Sequence, residues 1–77
     1  MTELPENEVL HVFHSLGRES AVMVREGDEI VFYLPDRKTV MRRFPYSSMD
    51  ERDRAYYLAS WRVLRNAADA EKARERR

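Results

Sequence analysis

Two histidines, His11 and His14, stand three residues apart with Glu8 three residues before the first, a spacing that would put one carboxylate and two imidazoles on one side of a helix as metal ligands. A complete site needs more than that. The chain has no cysteine and no further histidine, so any completion would have to come from acidic side chains elsewhere, and no metal centre or cofactor is expected. Nucleophilic catalysis has no better footing: Ser15, Ser20, Ser47, Ser48 and Ser60 lie in no motif that activates a hydroxyl. Gly17 and Gly27 stand alone rather than in a phosphate-cradling loop, and the adjacent carboxylates of Asp28 and Glu29 flank a turn where water keeps both ionised. The expectation is a protein that is not an enzyme.

Binding chemistry is better represented. Arg37, Lys38, Arg42, Arg43, Arg54, Arg62 and Arg65 could track a phosphate backbone, with Tyr33 or Tyr46 stacking on an unpaired base, and this is the nucleic-acid alternative. The aromatic residues point elsewhere. Tyr56, Tyr57 and Trp61 together with Phe32, Tyr33, Phe44 and Tyr46 are more large side chains than one small sheet face hides, and Trp61, Phe32 and Phe44 are the expected core members. The surplus, Tyr33, Tyr46 and Tyr56 with Met23, Val31, Met41, Arg43 and Val63, has the Tyr, Met and Arg character of protein interfaces. These eight form the expected protein-binding set.

The elements that position these groups follow from periodicity. Val9, Leu10, Phe13 and Leu16 fall at helical spacing, with a proline acceptable in the first turn and Gly17 suited to a cap, which predicts a helix over 5–16; the alternation of Leu10 and Val12 with the histidines is the competing strand reading. Strands are predicted at 20–25, 29–34 and 38–44, with the turn at Glu26, Gly27 and Asp28 and a type I turn at Pro35 and Asp36 between them. Ser48 with Glu51 has capping-box spacing and predicts a last helix over 48–70, with a frayed tail at 71–77. The resulting fold class is α+β, a small αβββα domain over 1–77 with a three-stranded antiparallel sheet on a long C-terminal helix. In its order of elements it resembles a double-stranded-RNA-binding domain. That family begins its second helix with lysines over phosphates, where residues 49–54 here hold three acids and two arginines.

Composition sets the remaining bounds. Net charge is zero, but residues 1–36 carry eight acidic and two basic side chains while 37–77 carry twelve basic and six acidic. The halves either present opposite faces to partners or neutralise each other across the folded surface. The longest apolar run is five residues, and residues 1–8 have no signal-like core, which predicts a soluble cytoplasmic protein with no membrane partner. Val31 and Tyr33 on the second sheet face, with Met23 and Met41 as neighbours, predict self-association into a homodimer. The functional expectation is a non-catalytic protein-protein interaction module: a small regulator, inhibitor or subunit.

Overall fold

Valine, histidine and phenylalanine are indifferent helix formers, and the stretch containing Val9, Val12 and Phe13 takes the conformation that suits them better, pairing as a strand. The computed structural model describes residues 3–75. Strands β1 (Val9–Ser15), β2 (Arg18–Glu26), β3 (Glu29–Tyr33) and β4 (Val40–Pro45) are followed by one 3-10 turn at Tyr46–Ser48 and by the helix α1 (Glu51–Glu75). Neighbours are antiparallel, and the order in space is the order in sequence, β1-β2-β3-β4.

The fold is therefore an α+β sheet packed on a C-terminal helix, but the sheet has four strands rather than three, and the helix expected at 5–16 is absent. With it goes the likeness in element order to double-stranded-RNA-binding domains. The cause of the misreading is a bulge. The register steps from Val9 opposite Val24 to His11 opposite Met23, so Leu10 is an extra residue and its side chain enters the helix-side core. That insertion breaks the alternation by two, and the spacing from Leu10 to Phe13 then looks helical. Gly17 caps nothing; it shares the two-residue turn between Ser15 and Arg18 with Leu16, both at positive φ (76° and 52°), the pattern of a type I′ hairpin.

Register sorts the two faces. Away from α1 lie the rows Val9, Val24, Val31, Arg43 and Val12, Val22, Tyr33, Val40. Toward α1 lie Met23, Ile30, Phe32 and Phe44 with Leu10, His11 and Phe13 from β1, and the core closes around Leu4, Leu10, Met23, Ile30, Tyr46 and Met49. Trp61, Tyr57 and Leu58 of α1 pack against this cluster from its margin, so Trp61 is half-buried rather than central. None of the helix residues is fully buried, and α1 packs mainly on β1, the strand at the opposite edge of the sheet from β4.

The helix begins at Glu51, three residues after the expected start. Its N-cap is Asp50, whose carboxylate accepts the Asp53 amide hydrogen at 2.8 Å; Ser48 instead donates its hydroxyl to the Pro45 carbonyl and holds the 3-10 turn. A carboxylate at this position also complements the positive end of the helix dipole, which a serine does not. At its other end α1 continues to Glu75, so residues 71–75 of the expected frayed tail are helical and the last two lie outside the described residues. The strands expected at 20–25 and 38–44 are shifted to Arg18–Glu26 and Val40–Pro45, and that at 29–34 ends at Tyr33.

Candidate functional site

The meander brings the ends of β1 and β3 and the starts of β2 and β4 to one end of the sheet, and α1 does not reach it. Six large hydrophobic side chains are exposed among the described residues, and four of them, Leu16, Leu34, Val40 and Met41, lie at this end. Leu16, at the tip of the β1–β2 hairpin, is 100% exposed. On the helix-side face the same end forms an open cleft of about 320 Å³ lined by Phe13, Ser20, Ala21, Phe32, Met41 and Arg42. Its floor is aromatic: Phe13 and Phe32 centroids are 5.7 Å apart, and Phe32 continues to Phe44 at 5.7 Å. Met41, itself a bulge between Val40 and Arg42, forms part of the wall and is 54% exposed.

Charge around this end is one-sided. Segments 14–20 and 34–42 hold four basic side chains and two acidic ones, Glu19 and Asp36. Both acids are occupied: Glu19 by Arg37 at 3.5 Å, and Asp36 by the amides of Lys38 and Thr39 and by the Thr39 hydroxyl. Those Asp36 bonds, the Thr39 amide foremost, hold its carboxyl below the usual aspartate value. Arg18, Lys38 and Arg42 meet no carboxylate among the described residues; Arg42 lies 5.9 Å from the Phe44 ring centroid. The opposite end is strongly acidic, with nine acidic and three basic side chains in segments 3–8, 25–29 and 45–54.

That acidic end is closed. Tyr46 is buried there; its hydroxyl accepts the Leu4 amide at 3.0 Å, and its ring is flanked by the guanidinium groups of Arg25 at 3.9 Å and Arg54 at 5.5 Å. Arg25 donates to the Leu4 carbonyl, Glu3 and the Gly27 carbonyl, while Arg54 donates to the Met49 carbonyl. The N-terminal segment, the β2–β3 turn, the 3-10 turn and the start of α1 are thereby tied around one ring. Tyr46, expected in the protein-binding set, is the buried centre of this closure.

Two more of the expected interface residues are buried. Met23 is on the helix-side face, opposite Phe32, and not beside Val31 as expected; Val31 is 0% exposed although no described element lies over it. Side chains form its cover. The Tyr33 hydroxyl donates to the Glu26 carboxylate, and since Tyr33 is opposite Val22 while Glu26 is opposite Glu29, that bond runs across the Val24–Val31 pair. Arg43 reaches Glu29 at 3.5 Å on the other side. The bond to Glu26 raises the Tyr33 hydroxyl pKa. Tyr56 and Val63 are exposed, 60% and 67%, beside a shallow apolar groove with His11, Ala59 and Ser60.

The arginines expected to follow phosphate do not converge. Arg37 and Lys38 are in the β3–β4 loop, Arg42 and Arg43 are on opposite sheet faces, Arg54 is in the first turn of α1, and Arg62 and Arg65 are further along it. Arg37, Arg43 and Arg65 bind Glu19, Glu29 and Glu8, acids from the negative half of the sequence. Intramolecular neutralisation is how much of the charge asymmetry is expressed.

His11 and His14 do not share a metal site: the described residues contain no group of three His, Asp or Glu able to hold an ion, and Glu8 is engaged by the Trp61 indole and Arg65. His11 Nδ1 lies 2.6 Å from Ser60 Oγ, linking β1 to α1, with rings of Phe13, Tyr56 and Tyr57 around it. Ser60 is in mid-helix, where backbone amides are spent on intrahelical bonds and offer no oxyanion donors. Burial, then the neighbouring His14 charge, lowers the His11 pKa; burial, then Asp53 and Tyr56, raises that of Tyr57.

No helix of the described residues is long and apolar enough to cross a membrane. No protein-family model, curated protein or solved structure matches the chain.

Proposed function

We propose that this chain is a non-catalytic protein-binding module, a small regulator, inhibitor or subunit, that engages its partner through the uncovered end of the sheet. The observation that carries this is the concentration of four of the six exposed large hydrophobics at that end, beside a cleft floored by Phe13 and Phe32. Exposed apolar side chains gathered at one end of a small domain are ordinarily explained by a partner that covers them. Dispersal and internal pairing of the arginines favour this reading over nucleic-acid binding, which depends on unpaired cations along one track.

The test compares the chain with a Leu16→Asp, Met41→Asp variant in affinity capture from the native extract, with sedimentation equilibrium alongside. Both residues are exposed, so the variant should unfold within about 0.5 kcal/mol of the parent. The expected result is a defined set of polypeptides retained by the parent and lost by the variant. Retention of nucleic acid instead, falling steeply with salt, overturns the reading. Loss of partner only on Tyr56→Asp with Val63→Asp transfers the surface to α1.

A further inference from the structure

The partner's chemistry can be taken further, on the basis of the protein-binding reading above. We propose that β4 receives an acidic, extended peptide segment as a fifth strand, with one apolar side chain of that segment packed on Met41 at the β4 side of the cleft.

Three observations converge on β4. It is an edge strand, and all its residues except Phe44 are exposed, so alternate backbone amides and carbonyls along one side face solvent. The other edge is differently placed, since α1 packs on β1 and bonds it through Ser60 and His11. The cleft opens on the same strand, because Met41 and Arg42 are both lining residues and β4 residues. Strand addition has these two requirements: main-chain bonds supply affinity, and a pocket beside the edge selects a side chain at every second position.

Charge selects the occupant. Arg42 of β4 and Lys38 of the loop before it have no carboxylate partners among the described residues, whereas the acids of this end are spent on Arg37 and on the loop backbone. A second copy joined two-fold and in register at Arg42 and Arg43 would bring this arginine pair against its own equivalent, and like charges opposite each other across strands are destabilising. A basic or neutral strand leaves Arg42 and Lys38 unpaired. An acidic one neutralises them, and its apolar residue covers Met41.

The experiment is selection of a random dodecapeptide phage library on the full chain. Enrichment of peptides with Asp or Glu alternating with a large apolar residue is expected. Their affinity should fall at least tenfold with Lys38→Glu plus Arg42→Glu, and N-methylation of alternate peptide amides should abolish binding in one phase and spare it in the other. Enriched peptides without acidic bias, an unchanged affinity in the charge variant, or indifference to both methylation phases overturns the proposal. Binding that Tyr56→Asp removes also overturns it, while leaving a protein-binding module. If no peptide is enriched but sedimentation shows Met41-dependent self-association, the occupant is a second copy; if neither occurs, this proposal fails, and the use of this end for protein binding is decided by the capture experiment with the Leu16→Asp, Met41→Asp variant.

Discussion

The two ends of this sheet are built on opposite principles. At one, a buried tyrosine gathers four chain segments, two arginines lie against its ring, and the polar atoms that enter the interior find partners. At the other, a leucine occupies a left-handed turn position in full exposure and a methionine bulge stands over half-covered phenylalanines. At the closed end the left-handed position falls on Asn7, a residue that accepts it; at the open end it falls on leucine and arginine. Natural proteins tolerate such violations chiefly where function draws on them, and on the reading proposed above the contrast separates stability from binding in a chain with little interior to spare.

The largest effect should come from breaking the closed end. Tyr46→Ala removes a buried ring and both arginine contacts, and should cost about 3–5 kcal/mol in urea unfolding, enough to leave a domain of this size marginal. Tyr46→Phe is the sharper variant. It keeps the ring but deprives the buried Leu4 amide of its acceptor, at about 1–3 kcal/mol. Losses below about 1 kcal/mol for both would show that Tyr46 does not hold this end together.

Much of this closed end was hidden from sequence reasoning, for identifiable reasons. The central hairpin was legible because Gly27 supplies the positive φ between two runs rich in β-formers, and the Pro35–Asp36 turn because proline and aspartate act locally. The four-strand count was not, because the Leu10 bulge imitates helical spacing. Tyr46 looked like interface, since a tyrosine after a strand-ending proline has no local signature of burial; its role depends on Leu4 and Arg25, which are far away in sequence. At the open end Met41, expected beside Val31 and Tyr33, is turned by its bulge into the wall of the helix-side cleft, and the spacing of Leu16 imitates a helix. Its available signal was the Leu16-Gly17 pair between two β-prone runs.

Intermediate effects separate the edges of the helix contact from its start. Trp61→Ala should cost about 2 kcal/mol, less than a central core residue, because the indole is half-buried and holds Glu8 at the sheet margin. A cost above about 4 kcal/mol would return it to the centre. Asp50→Ala should cost about 1 kcal/mol through loss of the N-cap, and Ser48→Ala distinctly less. Equal costs would assign the cap to both.

At the open end, one substitution should improve stability. Asparagine accepts the left-handed conformation that leucine resists, so Leu16→Asn should raise stability by up to about 1 kcal/mol. Partner retention should fall in the same variant. A rise in stability with retention unchanged would reduce Leu16 to an unselected turn residue and shift the binding surface toward Met41 and the cleft.

The smallest expected effect is a pH dependence at the latch between β1 and α1. His11 is held below its ordinary value of 6.5, first by burial and second by the His14 charge, so the folded state takes up its proton less readily than the unfolded chain. The sign follows from that ordering. Above the unfolded value both states are neutral and the contribution is fully present; as pH falls below 6.5 the unfolded chain gains its proton first, and stability declines until the folded pKa is passed. Protonation also makes both ring nitrogens donors, leaving Ser60 to act only as an acceptor at Nδ1. Urea midpoints compared at pH 8 and pH 5.5 should therefore fall more for the parent than for His11→Gln, in a window above the range where carboxylates titrate. Replacing His14 by glutamine removes the second cause and should narrow the fall without abolishing it. Parallel pH profiles for parent and His11→Gln would show that the ring is as easily charged in the fold as in the open chain, and that the Ser60 contact carries no protonation penalty.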